Sequence, residues 1–283
     1  MRTALAAALA MTMASAAARP AAGQGGGWTA DMVPIDSMAA RTPWGPGEHL
    51  VYGVKLGIFN VGQGHLTVEA LNFVRGRPTY RAVMGIEGGN FMFSINDRYT
   101  SWFDLYTLQS WRFIRENGGT YTSRRHYEFY PEKDLWDRED NDESGPMSTD
   151  SPLDDISFIY YLRTLPLNVG DRYELPQYFK DDGNPVVVEV VRKDKKKTDA
   201  GEFNTIVVRP TFQSDGLFSQ GGNAELHFSD DERRLLVYMW VNMPRVPGGI
   251  SLHLNEIHEG FPVNPESRAS VLRARQARQN SRR

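Results

Sequence analysis

The residues of this chain that could do chemistry are six histidines and a run of acids. The histidines are His49, His65, His126, His227, His253 and His258. No H-E-x-x-H pair occurs. In "HLNEIH" the spacing of His253 and His258 is odd, which on a strand sends them to opposite faces and makes them poor co-ligands. His227 and His253 are expected on neighbouring strands, where a cross-strand pair is geometrically allowed, but half-buried structural histidines are the better expectation. Nine acids lie between Asp134 and Asp155. A calcium loop needs alternate carboxylates around a tight glycine turn. "DREDNDESG" offers Asp137, Glu139, Asp142 and Glu143 out of that register, so a solvated loop is expected. Asp154 and Asp155 are adjacent, whereas a paired-carboxylate hydrolase needs two acids facing each other across a cleft. Helix capping accounts for them. The sequence has no G-x-S-x-G, no glycine-rich phosphate loop and no S-x-x-K. The "GGN" runs at 88–90 and 221–223 read as turns. No cysteine is present, which excludes a disulfide, a thiol nucleophile, a cysteine zinc site and a lipid-bearing cysteine. No catalytic residue, metal or cofactor is assigned.

Aromatic residues carry more information. Trp102, Phe103, Trp111, Phe113, Tyr121, Tyr127, Phe129 and Tyr130 crowd the first half, and Phe158, Tyr160 and Tyr161 follow close together. Phe212, Phe218, Phe228, Tyr238 and Trp240 complete the set. Core packing explains such a load. A greasy concavity is the alternative, with Met84, Met92, Met239 and Met243 as adaptable surface.

The elements that must hold these residues are mostly strands. "EHLVYGVKL" puts Leu50, Tyr52, Val54 and Leu56 on one face, and "GHLTVEALNFV" does so with Leu66, Val68 and Ala70. "TYTSRRHYEFYPE" alternates through Tyr121, Ser123, Arg125, Tyr127 and Phe129. Turn signals separate the runs: Asn-Gly-Gly at 117–119, "DDGN" at 181–184, "KDKKKTDAG" at 193–201 and "SDDERR" at 229–234. Close-spaced strands point to antiparallel meanders. One segment breaks the alternation. From Asp154 to Leu165 the apolar residues fall at helical spacing, with Ser151 or Asp154 as cap, Pro152 suited to the first turn, and Pro166 as stop. The fold class is therefore mainly β: a curled antiparallel sheet or incomplete β-barrel of a dozen or so strands, with one short helix packed across it. Arg163, near the end of that helix, needs a partner, for which Asp155, Glu128 or Glu189 would serve.

The ends differ from the body. Residues 1–23 have a short basic start, an uncharged apolar run and small-residue cleavage sites, the layout of a signal peptide. Residues 24–46 read as a disordered linker, 47–260 as one β-rich domain and 261–283 as a disordered arginine-rich tail. The last 21 residues carry a net +5, and residues 24–262 a net −10. So acidic a body argues against nucleic acid, while the tail offers a contact to an anionic membrane or another envelope component. The expected place is the periplasm of a Gram-negative-type bacterium, and without cysteine the chain is not a lipoprotein.

"PLDDISFIYYLRTLPLNVGDRYELPQYFKDDGNPVVVEVV" resembles a bacterial exported family, domain of unknown function 3108. The matching features are Asp155, Tyr160-Tyr161-Leu162-Arg163, Pro166-Leu167 and Gly170-Asp171. "GEHLVYGVKLGIFNVGQGHLTV", "DAGEFNTIVVRP" and "SDDERRLLVYMWVNMPRVPGGISLHL" extend the resemblance over nearly all of residues 47–257. It implies a curled sheet or incomplete barrel in an exported protein, without an established activity to carry over. By analogy of shape with periplasmic lipid carriers, the favoured function is non-enzymatic binding of a lipid or other hydrophobic ligand in a β-cradle. Trp102, Trp111, Phe158, Tyr161, Arg163 and Trp240 are the candidate ligand-binding residues. The alternatives are a structural or interaction protein of the envelope, and a hydrolase of an envelope polymer using the acids of 134–155.

Overall fold

The structure, a computed structural model, describes residues 39–89, 94–120, 122–180, 183–212, 224–243 and 246–281. Its strands are β1 (His49–Leu56), β2 (Phe59–Val74), β3 (Arg77–Gly89), β4 (Ser94–Asp104), β5 (Ser110–Asn117), β6 (Ser123–Tyr130), β7 (Leu135–Arg138) and β8 (Ser144–Pro146). After helix α1 (Asp155–Leu162) come β9 (Arg172–Leu175), β10 (Val186–Thr198), β11 (Gly201–Thr211), β12 (Ala224–Ser229), β13 (Leu236–Met243) and β14 (Val246–His258). Helix α2 (Pro265–Asn280) follows. The strands form one antiparallel sheet in the order β8-β7-β6-β5-β4-β3-β2-β1-β14-β13-β12-β11-β10-β9. Two meanders are thus joined edge to edge by the pairing of β1 with β14.

No ladder links the edge strands β8 and β9, so the barrel is incomplete. The sheet nevertheless curls until the segments beyond them meet. Leu153 bridges Tyr178, and Ser148 Oγ donates to the Tyr178 carbonyl (2.6 Å) while accepting from Asn184 Nδ2 (2.7 Å).

Period-2 alternation sets the concave face. Leu50, Tyr52, Val54, Leu66, Val68, Tyr80, Ala82 and Met84 are buried on it. A bulge between Val68 and Ala70 shifts β2, so Leu71 rather than the expected Ala70 is buried. Helix α1 lies inside the curl. Asp154 caps it by accepting from the amides of Ile156 (2.8 Å) and Ser157 (3.0 Å), and Ser157 Oγ accepts in return from the Asp154 amide (2.9 Å). Ile156, Phe158, Ile159, Tyr160 and Leu162 are all buried, which a helix achieves only when sheet surrounds it on several sides.

The helix crosses one end of the curl. At its start, Asp154 Oδ2 accepts from Ser101 Oγ of β4 (2.5 Å) and Ser110 Oγ of β5 (2.7 Å). At its finish, Arg163 makes a two-pronged ion pair with Glu48, just before β1 (2.6 and 2.7 Å), and donates to the Arg233 carbonyl in the β12–β13 turn (3.1 Å). Glu48, not Asp155, Glu128 or Glu189, is therefore the partner of Arg163. Glu128 is taken on the convex face by Arg75, Arg112 and His126, and Glu189 by Arg172.

Four segments differ from the sequence reading. Of the expected linker, residues 24–38 lie outside the described residues, as does the expected signal peptide. Residues 39–46 belong to the fold: Trp44 is fully buried against Tyr80, Phe103 and Tyr160, because an indole that size fills the space between α1 and the sheet. The acidic stretch is not wholly a solvated loop. It contains β7 and β8, with Arg138 neutralising Asp140 and Glu143. "KDKKK" is no turn but the continuation of β10, paired with β11 as far as Thr198–Gly201. The tail is not disordered over α2. Asn264 caps that helix, Val271 is buried, Arg275 binds Glu259 (2.5 Å) and the Gly260 carbonyl (2.8 Å), and Arg278 binds Glu232 and Glu259.

Removing one member of a buried ion pair strands the other. Arg163→Ala or Glu48→Ala should each cost about 3–5 kcal/mol in urea unfolding. The double variant Glu48→Leu, Arg163→Met should cost less than either, and equal losses in all three would refute the pairing as the source. For α2, Arg275→Ala with Arg278→Ala should speed hydrogen exchange of the 268–280 amides while the sheet stays protected; unchanged exchange would mean the arginines do not hold the helix.

Candidate functional site

The plugged end is a poor place for a ligand. Trp44, Tyr80, Phe103 and Tyr160 pack ring against ring there, with centroids 4.6–5.6 Å apart. Asp154 accepts four hydrogen bonds, from two serine hydroxyls and two amides. Its complete burial nonetheless pushes the carboxyl up to about 6. That is a buried cap, and its side-chain partners among the described residues are hydroxyls and amides rather than a second acid of the kind a glycosidase needs.

The other end carries the β1–β2 and β5–β6 connections, and among the described residues no helix crosses it. Its inner wall holds Val61, Ile95 and Ile250, only partly buried. At the rim, Ile58 is 86% and Phe59 70% exposed. One inner row runs across six strands: Leu50, Leu66, Met84, Tyr99, Arg115 and Arg125, each opposite the next. It begins aliphatic and ends cationic. Arg115 Nε donates to Asn117 Oδ1 (3.1 Å), and its guanidinium lies 5.4 Å from the Tyr99 ring centroid. Burial works against its charge, but Tyr99 and Asp155 more than restore it and keep its pKa above the ordinary value. Arg125 shares its face with Tyr127 and Phe129, both buried.

The sequence-derived candidates do not converge. Trp102 and Trp111 pack with Val74 and Ile114 on the convex face, beneath Arg75, Arg77, Arg81 and Arg112. Phe158 lies in the core, 4.9 Å from Phe212 by ring centroids. Tyr161 packs partly buried at the end of α1. Arg163 is committed to Glu48, and Trp240 Nε1 donates to the Gly248 carbonyl (2.8 Å). The register does set Arg115 opposite Arg125, a pair that no sequence motif marks. The usable signal was Arg125 falling in step with Tyr127 and Phe129.

The histidines differ from expectation. His227 and His253 are not on neighbouring strands: β13 intervenes, and the Tyr238 ring stands 5.0 Å from each by centroids. Burial, then Lys196, push His227 down to about 4, so it is neutral. His253 and His258 share the convex face, because the bulge opposite Val51/Tyr52 adds a residue and reverses the parity. His258 sits beside His49 (5.7 Å between centroids) and His49 beside His65 (5.8 Å). Among the described residues no group of three or more His, Asp or Glu could hold a metal. A cleft of about 890 Å³ lies between α2, the β10–β11 connection and the β12–β13 turn. Its arginines, Arg233, Arg275 and Arg278, are already bound to Asp231, Glu232 and Glu259.

These features define an open β-barrel-like protein plugged at one end by a short internal helix. The chain belongs to the family described as protein of unknown function DUF3108, whose model matches residues 51–254. No curated protein matches its sequence. Among solved structures it is similar to a β-barrel-like protein of family DUF1849 from Brucella abortus, at 10% identity and TM-score 0.48, covering 76% of this chain and 99% of that one. It is also similar to a candidate lipoprotein from Parabacteroides distasonis (10% identity, TM-score 0.35, 77% and 98% covered). A candidate exported protein with a YmcC-like fold from Bacteroides fragilis also matches (12% identity, TM-score 0.31, 78% and 100% covered).

The Asp154 carboxyl gives a pH test. Above about pH 6 the native state holds a buried carboxylate. Below that it binds a proton that the unfolded chain, with an ordinary value of 3.8, does not yet bind. This group therefore adds stability as pH falls from about 6 towards 3.8, up to about 3 kcal/mol. Glu225 runs the other way: hydrogen bonds from Arg192 lead in lowering it to about 2, so its contribution is lost as pH falls through that range from 4.5. Urea unfolding at pH 4, 5, 6 and 7 should show a gain at low pH in wild type relative to Asp154→Asn, which keeps a capping oxygen. Parallel curves would show that Asp154 titrates normally.

Proposed function

We propose that this is an exported, non-enzymatic binding protein that holds a lipid or other hydrophobic ligand at the unplugged end of its curled sheet. The observation that carries the reading is the asymmetry of the two ends. One is filled by α1 and the Trp44 ring cluster. The other presents half-buried Val61, Ile95 and Ile250 inside and exposed Ile58 and Phe59 at its rim. An exposed Ile-Phe tip is costly in water and useful where an apolar molecule or surface must be met. Export to a periplasm rests on the signal-like layout of residues 1–23 and on the family's resemblance to exported proteins.

Contact with an anionic membrane through the arginine-rich tail is less favoured. Arg268, Arg275 and Arg278 serve the chain's own Pro262, Gly260, Glu232 and Glu259.

Native mass spectrometry of protein purified without detergent, followed by solvent extraction, should find a stoichiometric apolar adduct. Ile58→Ser with Phe59→Ser should reduce uptake of an apolar dye several-fold with the melting temperature unchanged, since neither side chain is buried. A clean apo mass and no dye uptake by wild type would overturn the reading.

A further inference from the structure

The β5–β6 ladder contains an arrangement that sequence stability alone does not favour. Its charged positions on the convex face are complementary: Arg112 opposes Glu128, and Glu116 opposes Arg124, each as an ion pair. On the concave face of the same ladder Arg115 directly opposes Arg125. Like charges opposite one another destabilise a strand pair, more so when partly removed from water. Arg115 is oriented by Asn117, which also donates from Nδ2 to Tyr99 OH (3.3 Å) and accepts from Ser123 Oγ (3.1 Å). Arg125 has no ion pair among the described residues. The neighbouring cations differ: Arg138 is bound to Asp140 and Glu143, and Lys180 reaches Glu143 at 3.9 Å. Of the acids on this wall, Asp97, which also accepts from the Gly118 amide (3.2 Å), and Asp155 both support the Arg115 charge, and the Asp140 and Glu143 charges are spent on Arg138, so Arg125 is the cation that lacks a counter-charge.

We infer that Arg125, with Arg115 opposite it in the ladder, forms a binding site for an anionic group, phosphate or carboxylate, carried as the head of an amphiphile whose apolar part lies along Tyr99, Ile95 and the inner wall. A tetrahedral or planar oxyanion there gives Arg125 the counter-charge that it lacks, and gives Arg115 a further charge-assisted contact. The adjoining row Met84–Tyr99 supplies the apolar continuation. This inference rests on the cradle reading for the tail of the ligand but not for its head.

The test compares lysophosphatidylglycerol, lysophosphatidylcholine of the same acyl chain, and inorganic phosphate by titration calorimetry at low salt. Wild type should bind the anionic lipid about tenfold or more tightly than the zwitterionic one. Arg125→Gln should abolish that preference and leave the zwitterionic affinity unchanged, and Arg125→Lys should retain part of it. Arg125→Glu should abolish it too while raising the melting temperature, because it replaces a like pair by an ion pair with Arg115. That combination separates a binding role from misfolding. An undiminished preference in Arg125→Gln would overturn the site while leaving the cradle intact. Failure of both lipids to bind wild type would overturn the cradle. Phosphate binding that Arg125→Glu removes would then place the anion site with a free ion, and no phosphate binding either would overturn both.

Discussion

Glu48 and Arg163 hold the architecture to one arrangement. They lie 115 residues apart, and both are buried where the first strand begins and the internal helix ends. A guanidinium inside a protein is costly unless its charge is paired, and here a carboxylate takes two prongs and the Arg233 carbonyl a third contact, while Nε has no acceptor. Those three anchors belong to the approach to β1, the end of α1 and the β12–β13 turn. Satisfying them fixes where the helix sits, which end of the sheet it fills, and how far β12–β13 must curl to reach it. With the serines of β4 and β5 gripping the helix start, the curl is set from both sides.

The rest of the interior follows. With α1 in place, the space beside it suits large rings, and Trp44, Tyr80, Phe103 and Tyr160 occupy it. The opposite end has no such filler among the described residues. Its wall keeps partly buried aliphatics and sets Arg125 opposite Arg115 without an ion pair of its own among the described residues.

The architecture was legible because strands and helices write different periods. The alternation of Tyr127 and Phe129 with Arg125, and the break to helical spacing after Asp154, specify a meander with one inserted helix. What stayed hidden were events that depend on a partner strand. A bulge at β2 moved burial from Ala70 to Leu71, and another brought His253 and His258 to one face. A single added residue leaves no mark in composition. The Arg163 partner was equally hidden, since nothing local ties Glu48 to it. The tail looked disordered because its hydropathy is low, yet its arginines find Glu259 and Glu232. Acidic body and basic tail are thus partly one internal neutralisation. Trp102 and Trp111 misled as cavity residues because an aromatic on a strand does not declare its side. Here arginines cover them on the convex face.

The pairing of β1 with β14 has a consequence for biogenesis. Neighbours at the middle of the sheet come from opposite ends of the sequence, so loop closure over about two hundred residues must precede the contacts that reward it. Folding of such a topology is slow and waits for the last strand to emerge. A chain still lacking residue 258 has no seam along which its two meanders can join, and so remains threadable for as long as it is being made.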